Sequence, residues 1–124
     1  MTDNRFPRTA RLLASVDFQR VFEKPRRSAD TYFTVLATQG SSRPARLGLA
    51  ISRKQARRAV DRNRLKRLIR EVFRRNRAVL DGRDFVVMAR SNAVAADNLT
   101  LHASLDRHFS RFRSSSKIVA QPDQ

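Results

Sequence analysis

The chain of 124 residues has no cysteine, only three glycines, and few acids: 11 Asp and Glu against 27 Lys and Arg. Without a thiol there can be no disulfide framework, no thiolate metal site and no cysteine nucleophile. No glycine-rich loop cradles a phosphate, and neither an HExxH pair nor a serine nucleophile elbow is present. The two histidines, His102 and His108, have no evident catalytic partner in sequence, and a general base needs one to orient it. Asp81 and Asp84 flank Gly82 and read as turn chemistry rather than a metal pair. No apolar run approaches the roughly 18 residues that a membrane span requires. Met1 to Thr9 is polar and lacks the apolar stretch of a signal peptide.

What remains is charge. The net value is +16, and with 40% hydrophobic residues the chain is too apolar for a disordered basic tail. These numbers predict one domain with a single core, cytoplasmic, with a polyanionic partner and no membrane association. Arginine supplies 23 of the 27 basic residues. A guanidinium grips phosphate oxygens in pairs and stacks on bases; a GC-rich codon bias would enrich arginine as well.

The pattern along the chain predicts an α+β domain of order α-β-β-α-β-α, a small mixed sheet with helices packed on it. The ordered core should span about residues 10–113 of a single domain covering 1–124, with a frayed N-terminus and a polar tail from Ser114. A first helix is expected over 15–23, with Ser15 as cap and Phe18, Val21 and Phe22 at i, i+3 and i+4. Residues 31–38 read as a strand with Phe33, Val35 and Ala37 on one face and Tyr32, Thr34 and Leu36 on the other. Gln39 to Ala45 carries loop signals that suit a hairpin into a second strand at 46–52, where Gly48 leaves room for a bulge or a close approach. A long helix is expected over 56–76, with Leu65, Leu68, Ile69, Val72 and Phe73 as its core stripe. Residues 84–90 are nearly all apolar, as in a strand covered on both faces. A last helix should start at Asp97 or Asn98 and bury Leu101, Leu105, His108, Phe109 and Phe112.

The charge is concentrated on the long helix and its approach. From Arg53 to Arg77 there are twelve basic residues against two acidic, a local charge of +10. Turning the helix by 100° per residue puts Asn63, Arg67, Arg70 and Arg74 opposite the apolar stripe, with Arg64 and Lys66 flanking and Arg62 nearer the core. A solvated helix face normally mixes signs into i, i+4 pairs. Here only Glu71 interrupts a row of mutually repelling arginines, which is the pattern of a phosphate-backbone site. Asn63 can both donate and accept, and so could meet a sugar hydroxyl or base edge. Phe18 and Phe22, one turn apart, are read on propensity alone as core packing rather than base stacking. The strand preceding the basic helix argues against a DNA-binding helix-turn-helix. Composition alone fits a ribosomal-type structural RNA-binding protein equally well.

Arg62-Asn63-Arg64, followed by Lys66-Arg67, Ile69-Arg70-Glu71 and Phe73-Arg74 beside the Gly48-Leu49 strand, resembles the signature of the bacterial ribonuclease P protein family. The resemblance runs from about Leu12 to Phe112. It takes in Asp17-Phe18-Gln19-Arg20-Val21-Phe22, similar to the family's first helix, and Phe85 to Arg90, similar to its last strand. It implies a left-handed β-α-β crossover, an exception to the usual hand. It also implies an endonuclease that removes the 5′ leader of precursor tRNA, with the active site and its Mg²⁺ on a partner RNA and no catalytic residue in the protein. By motif position, Arg57, Arg58, Arg62, Asn63, Arg64, Lys66, Arg67, Arg70 and Arg74 would bind the RNA subunit. The single-stranded leader would lie in a groove lined by Phe18 and Phe22, floored by Thr34 and Leu36 and ended by Arg53 and Lys54. That position reverses the plain-core reading of the two phenylalanines. Many members carry an aromatic residue where this chain has Leu36, so apolar contact rather than stacking is expected there.

Overall fold

In the computed structural model, residues 15–38, 44–80 and 82–113 are described, without the side chains of 15–18. The expected frayed start, the Ser15 cap, most of the 39–45 loop and the tail from Ser114 lie outside them. The elements are α1 (Ser15–Glu23), β1 (Arg26–Ala29), β2 (Phe33–Ala37), β3 (Arg46–Ala50), α2 (Ala59–Asn76), β4 (Asp84–Ala89), α3 (Asn92–Ala95) and α4 (Asn98–Ser110). A single 3₁₀ turn at Arg77–Val79 closes α2.

The strands form one mixed sheet in the order β1-β2-β4-β3. β1 and β2 are antiparallel, β2 and β4 are antiparallel, and β3 and β4 are parallel. β4 is therefore interior, as its apolar run requires. Phe85, Val87 and Ala89 enter the main core beneath α2 and α4, while Val86 joins Val21 and Leu36 on the α1 side. The hairpin expected between the strands at 31–38 and 46–52, which are β2 and β3 here, does not form, because β4 lies between them. The partner that β2 does have as a hairpin is β1, an element absent from the expected order. Gly48 is buried and pairs in regular register with Val86, so its missing side chain serves close packing rather than a bulge.

Two faces follow from the two-residue period of the pleat. On one, Phe33, Val35 and Ala37 meet Leu65, Ile69, Val72 and Phe73 of α2 and Leu101, Leu105 and Phe109 of α4. Phe73, Phe85, Phe109 and Phe112 stack edge to face with ring centroids 5.5–5.8 Å apart, a geometry that adds about 0.5–1.5 kcal/mol per pair beyond area burial. The helices α2 and α4 run in the same direction: Arg64 meets Asn98, Glu71 approaches His102, and Asn76 meets Asp106.

On the other face, the register aligns two rows across all four strands. One is Arg27, Leu36, Val86 and Gly48; the other is Ala29, Thr34, Met88 and Ala50. Val21 of α1 covers Leu36 and Val86. The second row lies beside that cover.

Buried polar groups tie the framework together. Asp84 is fully buried and accepts two bonds from Arg46, Nε to Oδ1 and Nη2 to Oδ2, each 2.9 Å. That bidentate pair joins β3 to β4 at the start of their register, a larger role than turn chemistry. His108, buried as expected, lies with Nδ1 2.6 Å from Ser28 Oγ and Nε2 3.2 Å from Asp30 Oδ2. Asp30 also accepts from the amides of Tyr32 and Phe33 and the Ser104 hydroxyl. Burial alone would raise the Asp30 pKa, but these donors and His108 hold it down at about 2. Burial lowers the His108 pKa, opposed by Asp30 and assisted by the charges of Arg111 and Arg107.

Candidate nucleic-acid interface

The basic segment is built in two parts. β3 ends at Ala50, and Ser52 then turns the chain: its carbonyl accepts from the amides of Gln55 and Ala56. Arg53 and Lys54 sit exposed on this turn. α2 begins at Ala59 rather than near residue 56, so Arg57 and Arg58 stand in extended approach to it. Arg58 is the N-cap, with no side-chain cap bond. The reason is chemical: an arginine cannot accept the orphan amides of a first turn. Asp61 supplies the negative charge that the helix start favours, and its carboxylate lies 3.9 Å from Arg58.

Along α2 the apolar stripe is buried as expected, and Asn63, Arg67 and Arg74 are exposed on the opposite side. Arg70 and Lys66 are half-buried, Lys66 beside the carboxyl ends of β3 and β4. Glu71 does not face the row. It lies 3.3 Å from Arg75 and 3.7 Å from His102 on the α4 side, leaving the outward surface without its one acid.

The two arginines around Asn63 are occupied within the protein. Arg62 Nη1 donates to the carbonyls of Ala56 (2.9 Å) and Arg57 (2.8 Å). Arg64 reaches the other way: Nη1 donates to Asn98 Oδ1 at 2.6 Å, and Nη2 points at the carbonyls of Ala93, Val94 and Ala96 at 3.1–3.4 Å.

An open cleft of about 840 Å³ lies at the carboxyl ends of β3 and β4. It is lined by Thr34, Leu49, Ala50, Ile51, Ser52, Gln55, Lys66, Met88 and Ala89 to Asn92. It thus brings together Thr34 from the expected groove floor and Lys66 from the basic helix, with the Arg53-Lys54 turn adjoining. Leu36 stands apart: Val21 covers it, so its contact is with α1. Phe22, the next residue on α1, is 47% exposed but is not among the residues that line the cleft. Phe18 lies on α1, but its side chain is outside those described.

Arg90, which the sequence pattern does not mark as a site residue, borders this cleft. Its exposed guanidinium donates from Nη2 to Thr34 Oγ1 at 3.2 Å. The signal was present in the alternation, since Arg90 follows Met88 by two residues and so shares its face. Gln55 also lines the cleft and accepts the Ser91 amide at 2.8 Å, linking the two walls. Chemically the region offers guanidinium and ammonium donors, amide groups and a short apolar floor. That set suits a phosphodiester strand with its bases laid against the sheet. Among the described residues no group of three His, Asp or Glu could hold a metal ion.

Comparison with known proteins gives one consistent result. Residues 6–113 match the family model for ribonuclease P. The chain is 51% identical to the ribonuclease P protein component of Methylococcus capsulatus over 84% of this chain and 81% of that one. It is 47% identical to that of Thioalkalivibrio sulfidiphilus, over 88% and 91%. Among solved structures, the ribonuclease P protein of Staphylococcus aureus superposes with a TM-score of 0.73 at 30% identity, covering 90% of this chain and 98% of that one. The Thermotoga maritima ribonuclease P protein gives 0.73 at 32% identity, covering 84% and 98%.

Proposed function

The chain belongs to the ribonuclease P protein family, and from that premise we propose how its basic surface serves the enzyme. The protein is the RNA-binding subunit of a ribonucleoprotein endonuclease that removes the 5′ leader from precursor tRNA in the cytoplasm. Its partners are a catalytic RNA and precursor tRNA, not DNA or a membrane; among the described residues no helix is long and apolar enough to cross a bilayer. Mg²⁺ held by the catalytic RNA would supply the phosphodiester hydrolysis, and this chain's residues bind and orient.

The observation that carries this reading is the outward face of α2, where Asn63, Arg67 and Arg74 are exposed and Glu71 is turned away. Two RNAs brought together repel through their phosphates, and each guanidinium seated between them removes part of that cost. The surface from Arg57 to Arg74 grips the catalytic RNA. The cleft beside it, with Thr34, Lys66 and Arg90, receives the leader as a single strand. Phe22 forms a wall, Phe18 extends it by motif position, and Arg53 and Lys54 hold phosphates at its end. Leu36 contributes apolar backing through α1.

The test is cleavage of a precursor tRNA by the catalytic RNA at near-physiological Mg²⁺, with and without this protein. Strong enhancement is expected, and larger for a substrate with a leader several nucleotides long. Equal rates in both arms would leave only a structural RNA-binding role.

A further inference from the structure

The Arg62-Asn63-Arg64 motif lies at the centre of the proposed RNA-binding surface, but its two arginines differ in surroundings from the rest of the row. A guanidinium has five N–H donors and no acceptor. Arg64 directs both terminal nitrogens inward. Nη1 meets Asn98 Oδ1, and Nη2 faces the carbonyls of Ala93, Val94 and Ala96. These carbonyls belong to α3 and the residue after it; that of Ala93 also accepts the Ala96 amide at 3.3 Å, while those of Val94 and Ala96 lie at the end where a helix leaves C=O groups without intrahelical partners. Arg64 therefore caps α3 from a neighbouring helix and fastens the first residue of α4 with the same fork. Arg62, about 200° away around α2, does the corresponding work on the other side. Its Nη1 takes the carbonyls of Ala56 and Arg57, which fixes the extended approach on which Arg57 and Arg58 stand.

We infer that Arg62 and Arg64 are positioning residues: they brace the segments on either side of Asn63 and set the walls of the cleft, and they do not themselves neutralise phosphates. The inference rests on α2 being the RNA-binding surface and divides its members into two kinds. Asn63, exposed between two immobilised neighbours, is presented to RNA in a fixed orientation. Arg67 and Arg74 carry charge to the backbone. The link braced by Arg64 begins directly after Ser91 and Asn92, which line the cleft beside Arg90, and the Ser91 amide is tied across it to Gln55. Loosening Arg64 thus moves a wall of the leader's path without removing a charge that touches it.

The distinction is measurable because a phosphate contact releases counterions and a brace does not. The full-length protein binding its catalytic RNA would be titrated over a salt series for the wild type, Arg64→Gln, Arg64→Lys and Arg67→Gln. Arg67→Gln should reduce the slope of log K against log[salt] by about 0.7–0.9. Arg64→Gln should weaken binding about tenfold with the slope unchanged, and amide exchange over residues 93–98 should accelerate. Arg64→Lys should behave like Arg64→Gln, since an ammonium keeps the charge but cannot span carbonyls and an amide with a planar fork. Recovery of affinity in Arg64→Lys, or a slope change in Arg64→Gln matching that of Arg67→Gln, would overturn the inference. If Arg67→Gln also leaves the slope unaltered, the phosphate-binding role of α2 fails instead. Exchange over 93–98 still decides the brace in that case: faster exchange in both Arg64 variants supports it, and wild-type exchange refutes it.

Discussion

Replacing Arg46 by Met removes a cation from a well-buried ion pair. Asp84 is completely buried and the Arg46 side chain is 23% exposed, with two parallel 2.9 Å bonds between them. Taking away the cation removes the bidentate partner of a buried carboxylate, a change that costs about 3–5 kcal/mol. Because Arg46 keeps some access to water, which already screens part of the attraction, the expected loss lies near the lower end, about 3 kcal/mol. For a protein of this size, unfolding in urea has a slope of about 2 kcal/mol per molar, so the midpoint should fall by about 1.5 M. The double change Arg46→Met with Asp84→Leu removes both charges and should recover most of that shift, since an apolar pair of similar volume needs no desolvation. Midpoints read by circular dichroism in sulfate buffer decide the matter. A single-variant shift below about 0.5 M, or a double variant no more stable than the single one, would refute the reasoning.

Phe22→Leu should leave the melting temperature within a few degrees of wild type, because the ring is half exposed. It should weaken binding of precursor tRNA with a long leader while sparing leaderless tRNA, as two parallel affinity titrations would reveal. Acid should destabilise the β1–α4 junction in two stages. The His108 pKa is lowered in the folded state, so its contribution is present above the ordinary value of 6.5 and is lost as pH falls beneath it. Asp30, lowered from 3.8 to about 2, contributes above 3.8 and loses that contribution as pH drops toward 2. Thermal melts from pH 8 to pH 3 should show the first decline vanish in His108→Leu. Sulfate or phosphate should raise the melting temperature of the free protein beyond the effect of chloride at equal ionic strength, by occupying the arginine row. Equal stabilisation by all three salts would remove that idea.

The elements with a strong periodic signal were legible. Ser15–Glu23 and the start of α4 coincide with expectation, and Asp97 accepts the Thr100 amide as an N-cap should. β1 was not legible, because Arg-Arg-Ser-Ala has no apolar alternation. Its one buried residue is Ser28, a polar side chain whose partner His108 lies 80 residues away. The expected hairpin between β2 and β3 failed for a related reason: loop signals describe a chain reversal but cannot reveal that β4 will insert between the strands. Of the candidate site, the outward face of α2 could be read from helical geometry. The occupation of Arg64 could not, since its acceptors lie 29–34 residues further along.

The strand order β1-β2-β4-β3 also governs the kinetics of assembly. Only the β1–β2 pairing is local. β4 must cross about fifty residues, α2 among them, to reach β2, so the sheet has high contact order and should close slowly. Until it closes, α2 is an 18-residue helix with an arginine-rich face and no surface for its apolar stripe, and a helix of that length is marginal in water. An RNA strand that neutralises the row during this interval would act as a template, favouring the helix on which the rest of the domain condenses.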